Sequence, residues 1–185
     1  AFKVMDDLID EDTVRDSEPA FWVVHGTGAT IEQAAWGTMQ ARAIARELGV
    51  KSVFETRLSE VISGTRLEVE MENPDFRSER SLPELWHKVV KKEAAFRRYL
   101  AEALGCKPEV VEAAYQDGIA AQILDDSLSA IHGKDGRPWN SDEMLGRLTY
   151  MRAFGVSAAD AAAEGRRIKT SIAPILGQKG GDHGA

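Results

Sequence analysis

Apolar and polar positions recur along this chain with two different periods, and the change between them falls near residue 72. In the front half, residues 21–25 (FWVVH) form an apolar run that enters Gly26-Thr27-Gly28, and helical spacing follows over residues 30–48. Thr30 with Gln33 three residues later is a capping-box arrangement, and Gly49 supplies the stop. Residues 51–55 (KSVFE) and 65–71 (TRLEVEM) read as two more strands, the latter alternating Leu67, Val69 and Met71 against Arg66, Glu68 and Glu70.

Residues 72–80 have turn chemistry without periodicity, and helical spacing takes over beyond them. One helix is expected over residues 82–104, capped by Ser81 and Glu84, with Pro83 in its first turn and Gly105 as its stop. Leu82, Leu85, Trp86, Val89, Phe96, Leu100 and Leu104 are its core stripe. A second helix runs from Pro108 to about residue 131 and folds back on the first as an antiparallel hairpin. Its core candidates are Val111, Tyr115, Leu124, Leu128 and Ile131, and its exposed positions include Glu109, Glu112, Asp117, Asp125 and Asp126. After a polar loop at 132–140, Asn140 and Glu143 cap a helix with Met144, Leu145, Leu148 and Met151 inward. Ser157 with Asp160 opens an alanine-rich helix, and residues 171–176 form a last short one.

The expected fold class is therefore α+β and predominantly helical: a small N-terminal mixed sheet with a covering helix, then a C-terminal helical region of about four helices. Residues 1–18 read as an acidic N-terminal arm, 19–177 as a single globular domain and 178–185 as a glycine-rich tail. Within the domain, 19–72 is the strand and helix layer and 81–177 the helical region.

A length of 185 residues with 43% hydrophobic positions is enough for one self-sufficient core. Cys106 is the only cysteine, which excludes an internal disulfide and points to a reducing compartment. No apolar run approaches the ~20 residues of a membrane span and no signal peptide is evident, so the expected location is the cytoplasm or a protein particle, with no membrane partner. The net charge of −7 lies mostly in the first 20 residues and disfavours broad nucleic-acid affinity.

Candidate chemistry is sparse. His25, Gly26, Thr27 and Gly28 occupy a loop that opens a helix, a natural place for an anion or carbonyl. Ile31 stands where a dinucleotide fingerprint needs its third glycine, and no G-x-S-x-G elbow follows. The segment His25-Gly26-Thr27 resembles the opening of the NAD site in ADP-ribosyltransferases, which implies a histidine on the ribose and backbone contacts to the nicotinamide amide. His25, His87, His132 and His183 are too scattered for a metal site, and the chain suggests neither a metal nor a cofactor nor a complete catalytic set.

Charge patterning offers two further candidates. The acids Asp6, Asp7, Asp10, Glu11 and Asp12 complement the basic stripe Lys88, Lys91, Lys92 and Arg98, within one chain or between chains. Residues 155–176 resemble a helix-turn-helix, which implies a second helix presenting Arg166, Arg167, Lys169 and Thr170 to DNA; Pro174 departs from that pattern. Taken together these features lead to the expectation of a non-enzymatic structural or interaction subunit of a larger homo- or hetero-assembly, such as a virion component, docking through its charged arms. The alternatives are a DNA-binding protein and an ADP-ribosyltransferase-like enzyme.

Overall fold

The structure, a computed structural model, describes residues 2–73, 75–76, 81–132 and 146–177. Most of the expected polar loop at 132–140, the cap formed by Asn140 and Glu143, and the tail at 178–185 lie outside the described residues. Eight helices and one hairpin are described: α1 (Phe2–Ile9), β1 (Val14–Arg15), β2 (Glu18–Pro19), α2 (Phe21–Glu47), α3 (Lys51–Glu70), α4 (Leu82–Val89), α5 (Lys91–Ala103), α6 (Pro108–His132), α7 (Tyr150–Phe154) and α8 (Ala158–Leu176). The architecture is predominantly helical α+β with a small N-terminal sheet, as the hydrophobic pattern predicts.

The sheet lies elsewhere than expected. It is the antiparallel pair of β1 and β2, with Val14 opposite Pro19 and Arg15 opposite Glu18. Asp16 (φ +52°) and Ser17 (φ +68°) form its two-residue turn, both left-handed, as the twist of a tight hairpin requires. Residues 21–25, 51–55 and 65–70 are helical instead, with Met71 as the C-cap of α3. Phe54, Gly64 and Met71 are the buried positions that orient α3, and their separations of ten and seven residues return to one helical face. Val69, part of the apparent alternation, is 45% exposed. A Cβ on Gly64 would lie 3.1 Å from the Val89 carbonyl oxygen, so glycine lets α3 close on the α4–α5 junction.

The segment expected as one helix over 82–104 is divided at Val90. Before the junction the expected stripe holds, with Leu85, Trp86 and Val89 buried. Beyond it Phe96, Leu100 and Leu104 are exposed, and Ala94, Ala95 and Ala101 face inward. The reason is close packing: α5 and α6 run antiparallel so tightly that a Cβ on Gly118 would sit 2.5 Å from Ala94 Cα. Large residues cannot occupy that seam, so they turn outward.

The same principle rotates α6. Ala113, Ala120, Ile123, Asp126, Ser127 and Ser129 are buried while Leu128 and Ile131 are exposed, which corrects the expectation of an exposed Asp126 and a buried Leu128. Gly165 of α8 meets α6 at Leu124 and the Ala120 carbonyl. The main core joins Met71, Leu85, Trp86, Val89, Val90, Ile123, Leu148, Ala153 and Ala161. Ser157 caps α8, its hydroxyl accepting from the Asp160 amide at 3.1 Å. Among the described residues, no helix is long and apolar enough to cross a membrane.

Candidate functional site

Buried charge gathers where α1, the hairpin, α3, α5 and the segment before α7 meet. The sequence of α1, Phe2-Lys-Val-Met-Asp6-Asp7-Leu-Ile9, places Asp6 and, just past its end, Asp10 one turn apart. The helix turns its acids inward: Asp7 is 3% exposed, and Asp12 beyond it is 5% exposed. Arg15 on β1 answers them, its Nε donating to Asp7 at 2.8 Å and its guanidinium reaching Asp12 at 3.9 Å. Trp22 donates from Nε1 to the Asp12 carbonyl at 2.6 Å and pins the chain between hairpin and α2.

Lys92 is the cation at the centre. From the first turn of α5 its ammonium lies 2.5 Å from Glu68 on α3 and 3.3 Å from Asp6. Burial opposes its charge, yet Glu68, Asp6 and Asp10 outweigh that penalty and hold its pKa above the ordinary value. Burial also pushes Asp6 up, but Lys92, Lys3 and Arg15 together bring it below the usual carboxylate range.

Asp10 behaves differently. Burial, followed by the repulsion of Asp6, raises its carboxyl to about 6 in spite of Arg147 and Lys92, and Glu68 adds to the rise. Arg147 forms a salt bridge with Asp10 and donates from Nη2 to the Ile9 carbonyl at 3.3 Å. It thereby joins the segment before α7 to the end of α1.

That segment is itself fixed from α6. Asp126 accepts from the Tyr150 amide at 2.6 Å, from Gln122 Nε2 at 2.7 Å and from Trp86 Nε1 at 3.4 Å. The Trp86 ring packs edge-on against Tyr150 and Phe154, with centroids 5.0 and 5.7 Å away. A buried carboxylate with three donors is well satisfied, and its place in the chain sets where Arg147 begins its reach.

Among the described residues, no group of three or more His, Cys, Asp or Glu side chains is arranged to hold a metal ion unaided. The donor set nevertheless suits a hard cation that brings its own oxygen ligands. Magnesium needs only one or two protein carboxylates when phosphates supply the rest, and Asp6 and Asp10 lie one helical turn apart. Asp6 and Asp10 are the residues that would hold such an ion.

Of the residues singled out from sequence, the structure joins Asp6, Asp7, Asp10 and Asp12 to this cluster along with Lys92, while Glu11 points to solvent. Lys88 and Lys91 are exposed, and Arg98 pairs with Glu102 at 3.2 Å and lies over the Tyr115 ring, away from the cluster. Gly26 (φ +81°, ψ 164°) is a kink inside α2, where His25 stacks on Phe21 and Thr30 Oγ1 donates to the Gly26 carbonyl at 2.9 Å. His25, Gly26, Thr27 and Gly28 are therefore a helical bend rather than the end of a strand. Residues 158–176 are one continuous helix, so the turn that a helix-turn-helix needs there is absent. Arg167 pairs with Glu164, Lys169 with Asp117 at 2.6 Å, and Thr170 donates to the Arg166 carbonyl. Sequence reasoning missed Arg15, Glu68 and Arg147, and it placed Asp126, which is buried, on the exposed side of its helix. The available signal was the pair Asp125-Asp126 set among alanines and aliphatics, opposite an N-terminal run with the same Asp-Asp step.

No protein-family profile matches the chain, and no curated protein is significantly similar to it. Solved structures do share its fold. One is a geranylgeranyl pyrophosphate synthase, with a TM-score of 0.65 and 21% identity over 90% of this chain and 55% of that one. Another, a geranylgeranyl pyrophosphate synthetase from Pyrococcus horikoshii Ot3, has a TM-score of 0.56 and 21% identity over 94% of this chain and 63% of its own. The chain thus spans between half and two thirds of the length of these structures. Their fold is an enzyme fold, which overturns the expectation of a non-enzymatic structural or interaction subunit and of a virion component. It supports neither the DNA-binding nor the ADP-ribosyltransferase alternative.

Proposed function

We propose that this chain carries the pyrophosphate-handling part of a site for an isoprenoid pyrophosphate, at the cluster of Asp6, Asp7, Asp10, Glu68, Lys92 and Arg147. The observation that carries the reading is the convergence of buried charge from distant parts of the chain, in a fold shared with two geranylgeranyl pyrophosphate synthases. Burying so many ionised groups costs several kcal/mol apiece before pairing, and strongly perturbed carboxylates in one place mark functional sites.

The chain's own residues have distinct tasks. Lys92 pairs with Asp6 and Glu68 and fixes both in place; Arg147 turns Asp10 toward the junction; Asp126 holds the backbone from which Arg147 projects. Asp6 and Asp10 would hold a magnesium ion, which would supply positive charge to offset that of the pyrophosphate. Because the chain spans just over half of one neighbour, binding is a more direct readout than turnover.

Isothermal titration of the full chain with geranylgeranyl pyrophosphate, with and without Mg2+, tests this. Binding that requires Mg2+ and weakens at least about tenfold in Asp10→Asn is expected, equivalent to about 1.4 kcal/mol. No heat at millimolar ligand with Mg2+ would overturn the proposal.

A further inference from the structure

The acids at and just beyond the end of α1 already have cations of their own chain: Asp7 has Arg15, Asp6 has Lys92 and Asp10 has Arg147. The first two cations are tied in place. Arg15 also reaches Asp12 at 3.9 Å, and Lys92 also holds Glu68 at 2.5 Å. Arg147 comes from far along the chain, 137 residues from Asp10, and its guanidinium grips the end of α1 through the Asp10 carboxylate and, at 3.3 Å, the Ile9 carbonyl.

We infer, resting on the pyrophosphate reading of this cluster, that the Arg147–Asp10 pair is an autoinhibitory contact, which keeps divalent cations off Asp10 until a pyrophosphate draws the guanidinium away. The side chains of Arg147 and Asp10 are 6 and 9% exposed, so bulk salt screens the pair little. A metal ion and a guanidinium on one carboxylate repel each other, so one leaves when the other binds. Pyrophosphate oxygens suit the planar fork of arginine, and their charge makes the exchange even: the cation takes Asp10 as Arg147 takes the phosphate, and neither charge is left unpaired.

The backbone around Arg147 suits such an exchange. Leu148 is buried and the Tyr150 amide is held by Asp126 at 2.6 Å, so the chain after Arg147 is anchored. Before it stands Gly146 at φ +73°, a left-handed conformation that glycine adopts at little cost. The guanidinium therefore changes partners without moving α7. A cation offered alone meets only the fraction of molecules in which the pair is open, and its apparent affinity falls by that fraction.

Calorimetric titration of the full chain with Mn2+ alone, at a pH where Asp10 is ionised, tests this. Arg147→Met keeps the buried stem, removes the guanidinium, and should bind Mn2+ about tenfold more tightly than the wild-type chain. With inorganic pyrophosphate and Mg2+ together the order should reverse, Arg147→Met binding pyrophosphate about tenfold more weakly than the wild-type chain. Adding Asp10→Asn to Arg147→Met should abolish the gain in Mn2+ affinity. Arg147→Lys lacks the fork and reaches less far, so it should lie between the two and gives the same reading if Arg147→Met fails to fold. A merely structural arginine would weaken both titrations when replaced. Mn2+ affinity at or below that of the wild-type chain in the Arg147 variants overturns the proposal, as does a gain that survives Asp10→Asn. If the wild-type chain still binds pyrophosphate with Mg2+ in either case, the autoinhibitory contact alone is wrong; if it binds none, the pyrophosphate reading falls and takes the contact's role with it.

Discussion

With its ammonium 2.5 Å from Glu68 and 3.3 Å from Asp6, Lys92 carries the charge balance of the buried cluster. Lys92→Met keeps most of the stem's packing and removes the charge, so it isolates the electrostatic part. Leaving buried carboxylates without their cation costs about 3 kcal/mol, which urea denaturation at pH 7 would measure. Asp10 makes the opposite contribution. Its folded-state pKa of about 6 lies above the ordinary 3.8, so the folded chain binds the proton more tightly. Stability from this group is complete below about pH 4 and is lost as pH rises through about 6. The two carboxyls of this turn should accordingly separate in a 13C titration, Asp10 with a midpoint near 6 and Asp6 below its ordinary value. In Asp10→Asn the decline between about pH 4 and 6 should be absent, so the unfolding free energy of the wild-type chain minus that of the variant should fall across that window. A difference that stays flat across that window would show that Asp10 titrates normally.

At the level of elements, the helices approach one another through small residues, and the cost of adding a methyl depends on what it meets. A Cβ on Gly118 would face Ala94 Cα at 2.5 Å, which is backbone and cannot step aside. One on Gly165 would face Leu124 Cγ at 2.7 Å, on a side chain that can change rotamer. Gly118→Ala should therefore lower the melting temperature more than Gly165→Ala, with a destabilisation of about 2 to 3 kcal/mol against about 1. Equal shifts would mean that α5 and α6 separate more readily than their contact implies. The same small residues explain what could be read from sequence. Helix starts and stops with a local chemical cause are legible, such as the cap at Ser157 and the stops at Gly49 and Gly105. Orientation was less legible, because Ala94, Ala95 and Ala101 bury less surface than Phe96 and Leu100 and yet face the core. An apolar count favours the larger residues, but tertiary packing has room only for the smaller ones. Likewise the alternation at 65–71 fits a strand until the closeness of Gly64 to α5 fixes it as the end of a helix.

For the molecule as a whole, the site was partly visible in its residue types and hidden in its assembly. Asp6, Asp10 and Lys92 stand out as charged side chains, but their meeting depends on contacts 86 and 137 residues apart in sequence. Nothing local announces that Arg147 reaches back to α1. The N-terminal residues are consequently part of the folded body. Removing residues 1–18 takes the carboxylates of Asp6 and Asp10 from Lys92 and Arg147 and strips α1 from α2. The truncated chain should unfold at a markedly lower urea concentration than the full chain, and an unchanged midpoint would show that α1 is an appendage.

The bond from Trp86 to Asp126 also gives the molecule an optical gauge. Trp86 is 2% exposed, and its indole N–H points at the carboxylate that anchors the Arg147 segment. In a variant with Phe at Trp22, Trp36 and Trp139, all emission comes from this one ring, in an apolar surrounding and beside a fixed negative charge. Its wavelength then records how firmly Asp126 holds the backbone at Tyr150, so a ligand drawn to Arg147 or Asp10 declares itself as a change of colour in light emitted from the core.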